Sequence, residues 1–398
     1  STRPTRVRCR AASCCPLSAA DRLDGVLRTE AVIDLAAIRG NVATLKAATS
    51  AEVMAVVKAD GYGHGLLASA RAALAGGATW LGTAMIDEAI ALRDAGITAP
   101  TLAWLWTPGE TETVRRAVDT GVDLSVSSQW QLDIVRAAAA DLDLVPRIHL
   151  KIDTGLSRNG AYVSDWPDLL AAVAKAQSGG QVEVIGVWSH FAYADEPGHP
   201  MIAQQIAAFR DALADAARVG IEPQLRHLAN SAATLTLPEA HFDLVRPGIA
   251  VYGLSPVPQR GDFGLVPAMT LRAALASVKR VRAGSGVSYG HAYTTERETT
   301  LALVPLGYAD GIPRNATNVG PVSINGSRFT VSGRVCMDQV VVDVGDLPVD
   351  VGDHAVLFGA GRDEPRAQDW ADAVATIHYE IVTRIGPRVP RTYIGEAG

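Results

Sequence analysis

The sequence predicts a parallel (β/α)8 barrel followed by a mostly β C-terminal domain. Three observations predict it. Between residues 51 and 245, short β-branched or apolar runs alternate about eight times with alanine-rich helical stretches, as repeated strand–helix units require. Polar residues suited to chemistry fall at the ends of those runs, where a barrel lines its active site. After Ser255 the alternation stops, and strand-type runs separated by Gly, Pro, Asn and Asp take over. An open doubly wound sheet is the competing arrangement, but its G-x-G-x-x-G signature after the first strand is absent.

Taken in order, 31–34 reads as a strand and 35–48 as a helix. They precede the barrel, so the strand is open to either domain. Barrel strands are expected at 53–57, 80–83, 101–105, 123–126, 147–151, 184–188, 225–228 and 243–245. Helices fall between them, as at 67–75, 87–95, 129–140 and 201–217. Pro256, Pro258, Gly261 and Gly264 mark a linker. Beyond it, 273–281, 300–305, 328–331, 339–344 and 354–358 read as strands. The expected division is an extension without stable structure over 1–28, a barrel over 29–255 and a β domain over 256–398.

A chain of 398 residues, 48% apolar and 20% charged, can bury the cores of both parts. Its net charge of -6 gives no electrostatic footprint for nucleic acid. No apolar run is long enough to span a membrane. Cys9, Cys14, Cys15 and Cys336 have neither metal-ligand spacing nor a disulfide framework, which favours a reducing, cytoplasmic home and no metal.

The most informative stretch is Val57-Lys58-Ala59-Asp60-Gly61-Tyr62-Gly63-His64-Gly65. A lysine where a strand meets a loop can be desolvated, which leaves a neutral amine able to attack an aldehyde. Flanking glycines let backbone approach a phosphate. Alone, Lys58 reads as a solvated surface residue; in this context it suggests a Schiff-base site for pyridoxal 5'-phosphate. Further strand ends carry Lys151 with Asp153 and Arg158, then His190, then His227 with Asn230 and Ser231, and then Arg246, Gly248 and Ile249. Each has a plainer reading. Arg158 could be an exposed helix start or a two-donor partner for a carboxylate. His190 could be a satisfied core histidine. Asn230-Ser231 could cap a helix, and Gly248 could serve a turn. Tyrosines in turns, such as Tyr289 and Tyr308, are more often packing or surface.

Together the motifs resemble those of the alanine racemases over about residues 29–393. The likeness rests on the Lys58 stretch, on Lys151-Ile152-Asp153-Thr154-Gly155-Leu156-Ser157-Arg158 and on His190-Phe191-Ala192. It continues through His227-Leu228-Ala229-Asn230-Ser231, Arg246-Pro247-Gly248-Ile249 and Val287-Ser288-Tyr289-Gly290. Gly307-Tyr308-Ala309-Asp310-Gly311, Cys336-Met337-Asp338 and Tyr379-Glu380 complete it.

The resemblance implies a barrel-plus-β-domain homodimer that binds pyridoxal 5'-phosphate and interconverts L- and D-alanine for peptidoglycan synthesis. It implies that Lys58 holds the cofactor and acts as one base, and that Tyr289 of the partner subunit acts as the other. Tyr62, Ser231, Gly248, Ile249 and Tyr379 would hold the phosphate. His190 and Asn230 would lie beside the cofactor, and Arg246 would face the pyridine nitrogen. Arg158 and the partner's Met337 would hold the substrate carboxylate. In several relatives the lysine matching Lys151 is carbamylated and braces that arginine. Tyr308, Asp195 and Arg314 would line the entrance. A barrel decarboxylase would need a carboxylate where Arg246 stands. A non-catalytic cofactor carrier would lack the β domain. A racemase of another small amino acid such as serine differs only in pocket width.

Overall fold

The computed structural model describes residues 27–395. The first strand, β1 (Thr29–Asp34), does not enter the barrel. It lies in the sheet of the C-terminal part, antiparallel to β10 (Met269–Ala274) and parallel to β19 (Arg391–Ile394). The chain thus starts and ends in one six-stranded sheet, which also contains β18 (His354–Phe358), β15 (Pro321–Ile324) and β16 (Ser327–Thr330). Asp34 ends β1 and caps the next helix, Leu35–Ala47, by accepting from the backbone N–H groups of Ala36 and Ala37.

The barrel strands are β2 (Glu52–Val56), β3 (Trp80–Thr83), β4 (Thr101–Ala103), β5 (Asp123–Val126), β6 (Arg147–Lys151), β7 (Glu183–Trp188), β8 (Leu225–His227) and β9 (Leu244–Val245). Neighbours pair in parallel in the order β8-β7-β6-β5-β4-β3-β2-β9. The ring closes where Asp243 and Arg246 donate backbone N–H groups to the carbonyls of Arg226 and Ala229. Helices cover the outside, with apolar residues at helical spacing turned inward, as with Ile38, Val42 and Leu45. The barrel interior packs Met54, Trp80, Leu102, Ile185 and Leu244 around several polar side chains described below.

Residues 273–281 form two strands where one was expected. The run breaks after β10, and β11 (Ser277–Val281) joins a separate sheet with β14 (Thr299–Val304) and β17 (Val340–Gly345). Leu275 and Ala276 make the crossing by donating to the carbonyls of Asp353 and Leu303, which belong to different layers. Local propensity does not see that change of partner. A two-stranded hairpin, β12 (Gly286–Val287) with β13 (Tyr293–Thr294), carries Tyr289 in its loop. No helix among the described residues is long and apolar enough to cross a membrane.

Directly after β2 the chain makes a left-handed turn. Ala59, Asp60, Gly61 and Tyr62 all have φ between 52 and 60°. Such a conformation costs about 1–2 kcal/mol for each non-glycine residue. Clamps offset it. Glu88 accepts from the Ala59 N–H, Asp60 accepts from the Leu66 N–H, and His64 Nδ1 donates to the carbonyls of Gly61 (3.1 Å) and Tyr62 (2.9 Å). His64 is fully buried against the ring of Tyr252, and its Nε2 has no partner. Burial therefore pulls its pKa from 6.5 to about 4.

Between those values the unfolded chain binds a proton that the fold excludes, so stability falls as pH falls across the window, by about 3 kcal/mol in all. In urea unfolding, His64→Phe is expected to lose less stability than wild type over that acid range. At neutral pH it is expected to be the less stable protein, because the clamp is gone.

Candidate active site

The left-handed turn sends two side chains into one cavity at the C-terminal mouth of the barrel. Lys58 and Tyr62 both line it, with the lysine Nζ 5.9 Å from the tyrosine ring centroid. The cavity holds about 420 Å³. Of the site residues expected from sequence, Arg158, His190, Asn230, Ser231, Arg246, Gly248, Ile249 and Tyr379 also line it. Lys151 does too, as the last residue of β6. Tyr289 and Met337 are not among the lining residues; they are 71% and 53% exposed on the C-terminal part. Trp104, Trp188 and Thr383 line the cavity and were not expected. Trp188 is the apolar end of a strand and reads as core; nothing in a linear pattern says that its ring faces a charge.

Four basic side chains (Lys58, Lys151, Arg158 and Arg246) share this lining, which contains no carboxylate side chain. Burial lowers the pKa of Lys58, and the charge of Arg158 lowers it further against an opposing pull from Glu88. Lys151 falls to about 7, through burial and then Arg246 and Arg158. Burial brings Arg246 down to about 9, so it remains charged at neutral pH. Neutral partners hold these groups. Lys151 Nζ lies 4.2 Å and Arg246 Cζ 4.7 Å from the Trp188 ring centroid. Arg246 donates from Nη2 to the Ser189 carbonyl (2.8 Å) and approaches His190 Nδ1 (3.3 Å). Burial and then Arg246 keep His190 well below the usual histidine range, so it is neutral.

Other lining residues are uncharged. Ser231 Oγ accepts from the Gly248 N–H at 2.7 Å. Asn230 caps the short helix Ser231–Thr236 by accepting from the Ala233 N–H. A Cβ on Gly248 would sit 2.3 Å from the Tyr62 hydroxyl, so only glycine lets the phenol approach that backbone. Tyr379 and Thr383 arrive from the helix His378–Thr383 of the C-terminal part. Burial raises the phenols of Tyr62 and Tyr379, which keeps them protonated as donors. The Arg158 loop is shaped by Asp153, whose Oδ1 accepts from the N–H groups of Gly155, Leu156 and Ser157.

Tyr289 sits on strained backbone. Ser288 has φ 61° and ψ −173°, a region otherwise nearly restricted to glycine. Its hydroxyl donates to the Arg334 carbonyl at 2.7 Å. The carbonyls of Cys336 and Met337 accept from the N–H groups of Tyr308 and Ala309. The loops bearing Tyr289, Tyr308 and Met337 are therefore tied to one another, and those three side chains are exposed.

Fold and site define a two-domain (β/α)8-barrel enzyme. Residues 33–256 match the family model for the alanine racemase N-terminal domain, and residues 268–393 match that for the C-terminal domain. The chain is 61% identical over 371 residues to an alanine racemase of Salinispora arenicola, covering 93% of this chain and 99% of that protein. It is 60% identical over 368 residues to one of Thermobifida fusca, covering 92% and 98%. Among solved structures, the alanine racemase of D-cycloserine-producing Streptomyces lavendulae superposes with a TM-score of 0.92 at 57% identity, covering 94% of this chain and 98% of that one. That of Streptomyces coelicolor gives 0.91 at 56%, covering 94% and 100%. The chain belongs to the alanine racemase family and is an isomerase of the racemase type.

A cavity with this charge should take up anions, with Gly248 part of the site. Inorganic phosphate is expected to raise the melting temperature of protein dialysed free of small molecules. Gly248→Ala is expected to lose most of that increase, which a thermal-shift titration measures.

Proposed function

We propose that this protein interconverts L- and D-alanine with pyridoxal 5'-phosphate, using Lys58 and the partner subunit's Tyr289 as bases on opposite faces of the substrate. One observation carries the reading: a lysine of lowered pKa lies in a buried cavity with three further basic side chains and no carboxylate. Such a cavity suits a ligand that carries both a phosphate and a carboxylate. The lining fits the cofactor. Tyr62, Ser231, Gly248, Ile249 and Tyr379 form an uncharged, donor-rich cradle that a side chain at Gly248 would fill, while Lys58 and Arg246 lie elsewhere in the same lining.

Bound pyridoxal 5'-phosphate supplies the electron sink that makes the α-proton of an amino acid removable. The remaining work belongs to the chain. Lys58, whose proton is held less tightly because of burial and Arg158, takes or returns the α-proton at its Nζ on one face. A second base on the other face is needed for inversion. Tyr289 stands too exposed, and outside its own cavity, to serve its own chain. Its place beside Tyr308 and Met337 on a tied, exposed surface suits insertion into a second copy. Arg246 stays protonated and can only donate, so it would hold a cofactor ring nitrogen as an acceptor and disfavour a proton on it. Arg158, free of any ion pair among the described residues, is available to a substrate carboxylate.

Two measurements test this. Wild-type protein is expected to form D-alanine from L-alanine, and Lys58→Ala is expected to lose turnover on the order of 10^3-fold or more, together with the visible absorption of the bound cofactor. Absorption without turnover would move the substrate away from alanine. The second test mixes inactive Lys58→Ala and Tyr289→Phe chains. Random exchange places one intact site in each mixed dimer, so about a quarter of wild-type activity is expected to return. No recovery after demonstrated subunit exchange would mean that Tyr289 does not act across the dimer.

A further inference from the structure

We propose that Asp123 and His149, neither of which lines the cavity, are positioning residues. Acting through His227, they hold Arg246 in place by fixing the direction of a buried hydrogen-bond chain. The four side chains run in file through the barrel. His149 Nε2 lies 3.1 Å from Asp123 Oδ2, His149 Nδ1 lies 2.9 Å from His227 Nε2, and His227 Nδ1 lies 3.1 Å from Arg246 Nη1. All four residues are at most 4% exposed. Asp123 opens β5 at the far end of the barrel, His149 stands midway along β6, His227 ends β8, and Arg246 follows β9 at the mouth. Arg147, His149 and Lys151 alternate along β6 and so share one face.

Only one placement of protons satisfies every link. A guanidinium donates and never accepts, so His227 Nδ1 must be the bare nitrogen. His227 then carries its proton on Nε2 and donates it to His149. His149 Nδ1 must therefore accept, which leaves its proton on Nε2, aimed at Asp123. Both rings are neutral, and every donor in the file points from Arg246 toward Asp123. An imidazolium at His149 would oblige His227 to have no ring proton at all. Asp123 ends the file as a carboxylate. Burial opposes its ionisation, while hydrogen bonds from His149 and from Arg147, together with the Arg147 charge, favour it. Asp123 is thus the distant counter-charge to a buried arginine whose near partners are all uncharged.

The backbone makes room for this file. The pairing of β6 with β7 shifts register between Ile148 and His149, so that His149 lies opposite Gly186. A Cβ on Gly186 would stand 2.3 Å from His149 Nδ1 and 3.0 Å from His227 Nε2, directly on the histidine–histidine link. The extra residue of this shift is Ile185 of β7, so that is the strand that bends, and it brings a residue without a side chain opposite the His149 imidazole. The Trp188 ring stacks on His227 and the Trp80 edge meets His149, which confines both imidazoles.

The proton placement stands on these contacts alone; its consequence for turnover rests on the function proposed above. The first test is the nitrogen NMR spectrum of holoenzyme labelled with 15N-histidine, with signals assigned by their loss in His149→Gln and His227→Gln. Both rings are expected to be neutral with the proton on Nε2. An imidazolium, or a proton on Nδ1, at either residue would overturn the proposal. In Asp123→Ala the terminal acceptor is gone, so the His227 signals are expected to move toward a mixture of tautomers. The kcat for alanine is expected to fall about 10-fold, the low end of the loss seen when a metal-bound histidine loses its outer partner, with KM within about twofold. Unchanged His227 signals and unchanged kcat would also overturn it. The expected tautomers in a protein inert toward alanine would support the chain and refute the function instead.

Discussion

The cavity depends on holding positive charge in a buried place without neutralising it there. Four basic side chains line it, and no side-chain carboxylate does. An unpaired buried charge is expensive, and the protein meets that cost with neutral groups. Carbonyl oxygens, bare imidazole nitrogens and the face of Trp188 surround Arg246. Trp188 also receives Lys151. Because these partners stabilise charge without cancelling it, the field in the cavity remains available to an anionic ligand. It also disfavours added protons on the lysines and on His190.

Strain is concentrated at the two places where chemistry is proposed. One is the left-handed turn after Lys58, and the other is Ser288 beside Tyr289. Neither conformation is stable by itself. The first is held by Glu88, Asp60 and His64, and the second by the Arg334 carbonyl. The first arrangement turns Lys58 and Tyr62 into the same space, which an ordinary right-handed turn out of a strand would not do with this backbone.

The two parts of the chain also depend on each other. β1 is donated to the C-terminal sheet, and that part returns Tyr379 and Thr383 to the barrel mouth. Asn41, on the first helix, is buried with all its hydrogen-bonding groups engaged. It donates to the carbonyls of Val251 and Val266 and accepts from the Val266 N–H, which ties the barrel to the segment leading into the β sheets. The site is therefore not a barrel mouth with an accessory domain beside it, since the second part closes one wall.

The sequence by itself determined the order of the barrel strands and the residues at their ends. Strand periodicity and strand-end position are local properties, and a parallel barrel brings all such ends to one mouth. Lys58, Arg158, His190, Asn230, Ser231, Arg246, Gly248 and Ile249 were legible for that reason, and Tyr62 and Tyr379 through their motifs. Tertiary structure alone decided what depends on contacts between distant segments. It assigned β1 to the far sheet, split 273–281 between two layers, and left Tyr289 and Met337 outside their own chain's cavity. It also turned Trp188 from an apparent core residue into the support for two cations, and made Gly186 the space through which His149 meets His227. No periodicity records these pairings, because each joins residues tens to hundreds of positions apart whose only common feature is the volume that they share.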